Sequence, residues 1–418
     1  MIHTHKYRLY PNIEQKSLLA KHFGHTRWVY NWGLGEKKKA YETAAKSLSY
    51  VDLAKMLTLV KKEDGKEWLS EVSAQSLQQA LMHLDTAYKN FFEGRADFPT
   101  LKSKHSSKQS FTVAQYVDVD WGTRSIKLQK FDGPIKFKVS RRFPGDPRKC
   151  TVTKNASGEY HISICFETPD VVPEKPHLVS REDVLGIDVG IKDFAITSEG
   201  EVVKNNRYTK RFEKRLALLQ QRHSHKKKGS HNRKKAQLAV ARCHQKIVDQ
   251  RGDFLHKLST RLVSENKAIA RESLNVAGMI RNHKLSKAVS DASWSTFDAM
   301  LKYKAELGGK WFLQIGRFEA SSKTCHVCSY VKRDMTLSDR SWVCPTCKTV
   351  HDRDVNAAFN IRNWAWVAWV QKKQLPLGEG EVMPVSRKRK LPDGVKAEGT
   401  GARGSSHGAG INRESSVC

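Results

Sequence analysis

Two pairs of cysteines constrain this chain more than any other feature. Cys325-His-Val-Cys328 and Cys344-Pro-Thr-Cys347 stand fifteen residues apart, and His351-Asp-Arg-Asp354-Val-Asn-Ala-Ala358 follows at once. Thiols paired at this spacing gather round one tetrahedral metal ion, and zinc is the ion that a closed set of four sulfurs suits. Four sulfurs fill that shell, which makes the zinc structural and leaves His326 and His351 as bystanders. The acidic segment behind the second pair falls where a helix should begin, so a metal clip and a potential catalytic carboxylate lie close together in the chain.

The residues before the clip read as alternating strands and helices. Val184 to Val189 is an apolar run short enough for a buried strand; Phe194 to Thr197 and Glu201 to Lys204 follow as two more, around the turn Ser198-Glu-Gly200. A long helical region to about Ser264, a fourth strand at Lys267 to Glu272, a helix from Val289 to Leu307 and a fifth strand at Lys310 to Ile315 complete the series before the cysteines. A last helix is expected from Val355 to about Trp366. Three antiparallel strands, then helix–strand–helix–strand–helix, is the order of the ribonuclease H-like fold.

In that order the first and fourth strands are neighbours and the last helix packs beside them. Asp188 near the end of the first strand, Glu272 at the end of the fourth and Asp354 at the start of the helix then converge. Three converging carboxylates repel one another unless a divalent cation lies between them, and oxygen donors suit Mg²⁺ or Mn²⁺. Two such ions about 4 Å apart serve phosphodiester hydrolysis. Each acid also has a plainer reading: a strand-end residue, a surface charge and a helix N-cap respectively.

The front of the chain is different. A strand from Thr4 to Leu9 precedes helices that run from Pro11-Asn12 to about Phe92, with Leu77, Leu81, Leu84, Tyr88 and Phe91 marking one buried stripe. The opposite face carries Gln75, Gln78 and His83, free to touch a ligand. A polar, basic loop from Pro99 to Ser110 includes Lys102 and Lys104. Residues 112–170 read as a β-barrel or β-sandwich with a hairpin at Asn155-Ala-Ser-Gly158 and a basic rim that includes Arg141 and Arg142.

Charge narrows the partners. The chain of 418 residues has 74 Lys and Arg against 43 Asp and Glu, a net +31, which points to a polyanion such as nucleic acid. Lys204 to Lys246 holds fifteen Lys or Arg and one acid, Glu213; Lys226, Lys227 and Lys228 lie beside the proposed site, though part of this stretch is a solvated face. No apolar run approaches the roughly 20 residues that span a bilayer, and no secretion signal is evident, so no membrane partner and a cytoplasmic, nucleoid-associated location are expected.

Four segments stand in the order and spacing of one family: Gly186-Ile-Asp-Val-Gly-Ile-Lys-Asp-Phe-Ala195, Glu272-Ser-Leu-Asn-Val-Ala-Gly-Met279, the paired cysteines, and Asp352-Arg-Asp-Val-Asn-Ala-Ala-Phe-Asn-Ile361. With Tyr7-Arg-Leu-Tyr-Pro11, Phe91-Phe-Glu-Gly-Arg-Ala-Asp-Phe-Pro99 and Gln109-Ser-Phe111, the chain resembles TnpB, the OrfB-type transposon-encoded family ancestral to type V CRISPR effectors, over about residues 1–370. The resemblance implies an α+β multidomain protein. A wedge β-barrel would comprise residues 1–9 and 112–180, with a helical recognition insertion at 10–111. A RuvC-like nuclease domain would comprise 181–320 and 349–371, with a zinc ribbon inserted at 321–348, and 372–418 would form a disordered tail. It further implies an RNA-guided DNA endonuclease, one chain with one non-coding guide RNA, acting on double-stranded DNA beside a short flanking motif. Asp188, Glu272 and Asp354 would hold two catalytic Mg²⁺ ions.

Some positions depart from the family. Arg271 stands where an apolar strand residue is usual, and it could pair with Glu272 or point to the other face of the sheet. Ser329 and Lys348 replace the glycines that often follow each Cys-x-x-Cys, where a knuckle favours positive φ. Two rival functions are a nuclease-inactive guided repressor and a zinc-ribbon DNA-binding accessory protein of the transposon.

Overall fold

The computed structural model describes residues 1–316, 319–336 and 338–374. The expected tail at 372–418 therefore lies outside the described residues, apart from 372–374, which continue the last helix.

Strand β1 (Ile2–Tyr10) leads into helices α1 (Ile13–Ala44), α2 (Tyr50–Val60) and α3 (Ala74–Phe92). Asn12 opens α1 with a capping box, its side chain accepting from the Gln15 backbone N–H while Gln15 returns the bond. Six strands follow: β2 (Lys108–Val113), β3 (Asp118–Asp120), β4 (Ser125–Lys127), β5 (Ile135–Lys138), β6 (Asp146–Asn155) and β7 (Tyr160–Glu167). With β1 they form one antiparallel sheet in the order β2-β6-β7-β1-β5-β4-β3. In hydrogen bonding the order is linear, ending at β2 and β3, where the sequence suggested a β-barrel or β-sandwich. One end of the order is built from three-residue strands, and residues from both ends, Phe111 of β2 and Ile126 of β4, share one core with Leu19 and Phe23 of α1. Strand β2 begins at Lys108, so a boundary at 111/112 would cut through it. Helices α1, α2 and α3 bury a separate core around Leu53, Leu77, Leu81 and Leu84.

The second half contains β8 (Val184–Val189), β9 (Asp193–Thr197), β10 (Val202–Lys204), α4 (Tyr208–Ser224), α5 (His231–Glu265) and β11 (Ala268–Glu272). It continues with α6 (Val276–Ile280), α7 (Ser286–Ala292), α8 (Trp294–Leu307), β12 (Trp311–Ile315), β13 (Ser341–Val343), β14 (Val350–Asp352) and α9 (Arg353–Gln374). Five strands form a mixed sheet in the order β10-β9-β8-β11-β12, with β11 parallel to both neighbours. The expected helix from Val289 to Leu307 is broken at Ser293, whose φ of +55° turns the backbone between α7 and α8. The last helix starts two residues earlier and runs eight residues further than expected.

Period-two alternation sorts the sheet's two faces. Leu185, Ile187 and Ile269 pack on α5 and α8 with Leu258, Phe297 and Leu301. Val184, Ala268 and Ala270 pack on α9 through Ile361 and Ala365. Among the described residues, no helix is long and apolar enough to cross a membrane.

Candidate metal and acidic site

The register fixes where the acids stand. Arg271 in β11 lies opposite Ile187 in β8, so the next residues along, Glu272 and Asp188, end up level on adjacent parallel strands. Both share a face with Gly186 and Ala270, the face that α9 covers. Helix α9 comes unusually close there: a Cβ on Gly186 would lie 2.1 Å from the Ala358 carbonyl oxygen. Two strand residues onward from Gly186 advance about 6.6 Å, and four helix residues back from Ala358 about 6 Å. The first step reaches Asp188 and the second Asp354. The close contact at the glycine therefore brings the start of α9 over the end of β8.

The electrostatics agree with this geometry. Asp188 keeps some solvent access, yet burial, then the Asp354 and Glu272 charges, push its carboxyl up to about 7, and Arg271 offsets part of the rise. Burial also raises Glu272, with Arg271 pulling the other way. Burial opposes ionisation of both carboxylates, and for Asp188 the neighbouring acids add to it. The three carboxylates are nevertheless more loosely grouped than the cysteines, the one set of such donors among the described residues found within 4.8 Å of one another. Arg340 lies 3.4 Å from the Asp354 carboxylate.

Arg271 takes the second of its two alternatives. It is fully buried, points away from Glu272 and ion-pairs with Asp298 on α8, its guanidinium 5.7 Å from the Phe297 ring centre.

The cysteines form two matching knuckles. Ser329 N–H donates to the Cys325 carbonyl and Lys348 N–H to the Cys344 carbonyl, each at 2.9 Å. Ser329 and Lys348 adopt φ of +62° and +61°, the left-handed backbone that glycine takes at less cost. The sulfurs of Cys325 and Cys347 are 3.6 Å apart and those of Cys328 and Cys344 3.4 Å. A tetrahedron with Zn–S bonds near 2.3 Å has edges of about 3.8 Å, so the donor set fits zinc with little adjustment. The Thr349 hydroxyl, 3.2 Å from Sγ, holds the Cys347 thiol below the usual range. His351 is more than a bystander: its Nε2 lies 3.1 Å from Cys325 Sγ, within reach to donate to a thiolate.

The expected nucleic-acid contacts are scattered. Gln75 exchanges amide bonds with Gln115 (3.1 and 3.0 Å) and so braces a loop, while Gln78 is exposed. Lys102 lies 3.8 Å from the Tyr30 ring centre, its backbone bonded both ways to Asn31. Lys104, Arg141 and Arg142 are exposed. Lys226, Lys227 and Lys228 project from the α4–α5 turn, which Arg233 closes by donating to the Lys226 carbonyl at 2.7 Å.

Sequence reasoning missed Arg340, Asn356 and Asn360. The asparagines had a signal: two of them four residues apart in the otherwise apolar run Val355 to Ile361 are a poor choice unless their amides are used.

Three family models match the chain. They are described as "Helix-turn-helix domain" over residues 1–46, "Probable transposase" over 163–283 and "Cas12f1-like, TNB domain" over 294–361. Residues 1–46 here form a strand and a single unbroken helix rather than two helices. A Streptomyces pristinaespiralis protein named "Putative RNA-guided DNA endonuclease" is 41% identical over 360 residues, covering 85% of this chain and 87% of that protein. The Escherichia coli K12 protein named "Putative RNA-guided DNA endonuclease InsQ" is 29% identical over 371 residues, covering 85% and 90%. A solved Cas12f1-sgRNA-target DNA complex superposes with a TM-score of 0.48 at 13% identity, covering 87% of this chain and 99% of that one, too loosely to carry an argument.

Proposed function

The chain belongs to the TnpB family of transposon-encoded proteins, and on that premise we propose that it is an RNA-guided DNA endonuclease whose RuvC-like sheet cuts with Asp188, Glu272 and Asp354. The observation that carries the catalytic assignment is the level register of Asp188 and Glu272 beneath the first turn of α9, with Asp354 near enough to raise Asp188. Two half-buried strand carboxylates beneath a third acid suit a divalent cation, and the all-oxygen donor set suits magnesium. When bound there, a pair of magnesium ions supplies water activation and stabilisation of the leaving oxygen in phosphodiester hydrolysis.

The chain's own residues do the rest. Asp188 and Glu272 hold their carboxylates on rigid neighbouring strands, and Asp354 closes the site from a helix with no slack against Gly186. Arg271 sets a buried positive charge beneath the two strand carboxylates and favours their ionised form. The four cysteines would hold a structural zinc. The sheet of β1 to β7 would serve as the wedge, and helices α1 to α3 as a recognition unit for guide, target and flanking motif. The exposed lysines at 226–228 and the arginines at 141 and 142 would meet phosphates.

The test is cleavage of a plasmid bearing a matched target, with guide RNA and Mg²⁺, beside a gel-shift of each variant. Asp188→Ala, Glu272→Ala and Asp354→Ala should each abolish cutting and leave guide and target binding largely intact. Cutting by Asp188→Ala at the wild-type rate would overturn the catalytic assignment. Wild type that binds but never cuts would favour the guided repressor, and binding that ignores the guide would favour the accessory protein.

A further inference from the structure

We infer that Asn356 and Asn360 are positioning residues that set the place of Asp354 by fastening the first cysteine knuckle to the start of α9. The inference rests on the nuclease reading above and adds a physical link between its two metal sites.

Both asparagines are almost wholly buried, at 1% and 3% exposure. Asn356 Nδ2 donates to the Thr324 carbonyl at 2.7 Å and the Ser321 carbonyl at 3.3 Å. Asn360 Nδ2 donates to the same two carbonyls at 2.6 and 2.7 Å. The Asn356 amide oxygen accepts from the His326 backbone N–H and lies 3.0 Å from His326 Nδ1. Between them Phe359 stacks on the His326 ring, centroids 4.6 Å apart and planes 15° from parallel. One helix face thus grips residues 321–326, the approach to Cys325.

The second knuckle is tied to the same helix by the chain itself. Strand β14 runs directly into α9, Asp352 accepts from the N–H groups of Asp354 and Val355 at 3.0 Å, and Arg353 N–H donates to the Arg340 carbonyl at 2.8 Å. Across the ribbon, His351 meets Cys325 Sγ. Each knuckle is thereby fixed to the two turns that carry Asp354.

On its other side α9 rests on Gly186. That contact limits how far the helix can approach β8 but leaves rotation about the helix axis to other restraints. Side chains end about 5 Å from the axis, so a 20° turn would swing the Asp354 carboxylate by roughly 2 Å. Misplacement of a reacting group by 1 Å can cost on the order of 10²-fold in rate. The asparagine grip, on a ribbon held rigid by its zinc, removes that freedom. A role confined to ribbon folding would leave the acidic site untouched.

The experiment uses guide-free, zinc-loaded full-length protein with Mn²⁺ as the probe, bound Mn²⁺ being read by electron paramagnetic resonance, and Asp354→Ala as the reference for a broken site. Zinc content, melting temperature and guided plasmid cleavage are measured on the same preparations. Asn356→Ala/Asn360→Ala should keep one zinc per chain, lose at least about tenfold in Mn²⁺ affinity toward the Asp354→Ala value, and cut about 10²-fold more slowly. Asn360→Ala alone should shift Mn²⁺ affinity only a few-fold, because Asn356 still reaches both carbonyls; this variant carries the test if the double variant does not fold. Unchanged Mn²⁺ affinity in the folded variants, or loss of zinc from them, overturns the inference. Wild type that binds no Mn²⁺ overturns the nuclease reading as well, which separates the two failures.

Discussion

Gly186→Ala tests whether the close approach of α9 to β8 assembles the acidic site. The added methyl carbon would meet the Ala358 carbonyl oxygen at 2.1 Å, the Arg362 backbone nitrogen at 2.8 Å and Arg362 Cβ at 2.9 Å. Two of these are backbone atoms of a packed helix, so no side chain can swing aside. Ordinary contact begins near 3.4 Å, and restoring it requires α9 to retreat by about 1.3 Å. Inserting one methyl into a packed core of this kind typically costs about 1–3 kcal/mol, which lowers the melting temperature without unfolding a protein of ordinary stability. The helix carries Asp354 away from Asp188 and Glu272 as it retreats, and a displacement of about 1 Å is worth on the order of 10²-fold in rate. The assay is guided plasmid cleavage with excess Mg²⁺, with guide binding and thermal melting as controls. Gly24→Ala is the reference substitution, because a Cβ there meets nothing within 4 Å and a helix-interior alanine is expected to stabilise slightly. A folded Gly186→Ala protein that cleaves within a few-fold of wild type would show that α9 can shift without disturbing the site, and the argument from close packing would fail.

Three further outcomes are expected. Purified protein should carry about one zinc per chain by elemental analysis, and Cys344→Ser, at a fully buried thiol of the cluster, should lose both the metal and solubility. His22 is wholly buried, with Nδ1 bonded to the Leu18 carbonyl and Nε2 accepting from Ser73 N–H, and burial depresses it from 6.5 to about 4. It contributes stability above pH 6.5 that is lost as pH falls toward 4, about 3 kcal/mol in all, so urea midpoints of His22→Gln should depend less steeply on pH than wild type across that window. Replacing Lys226, Lys227 and Lys228 by alanine should reduce the slope of log affinity for RNA against log salt by about 2, and an unchanged slope would make the α4–α5 turn a solvated face only.

How much of this arrangement is legible in the sequence depends on the range of the forces involved. The cysteine knuckles are local, so spacing alone gives their shape, including the left-handed backbone at Ser329 and Lys348. The strands of the mixed sheet are also local, since short apolar runs between turns leave few alternatives. Breaks are harder to read. Nothing in Ser293 announces a left-handed residue between two helices, where the chain turns to bury Trp294 and Phe297 in the core. The front sheet was legible only in outline: the strand count suggests a barrel or sandwich, while the strand order and the share of the core supplied by α1 come from contacts distant in sequence.

Partners distant in sequence are the least legible. The rule of alternation offers Arg271 the far face of β11, but only the fold supplies Asp298 there, 27 residues onward. Gln75 looked free, and the fold supplies its amide with a partner in Gln115, forty residues away. The acidic site lies between these extremes. Its residues are visible as acids at element ends, yet their convergence depends on a register and on a helix near enough to complete it. One residue in the sequence bears on that distance: Gly186, two positions before Asp188 and on the same face, is the point where any side chain would hold α9 away.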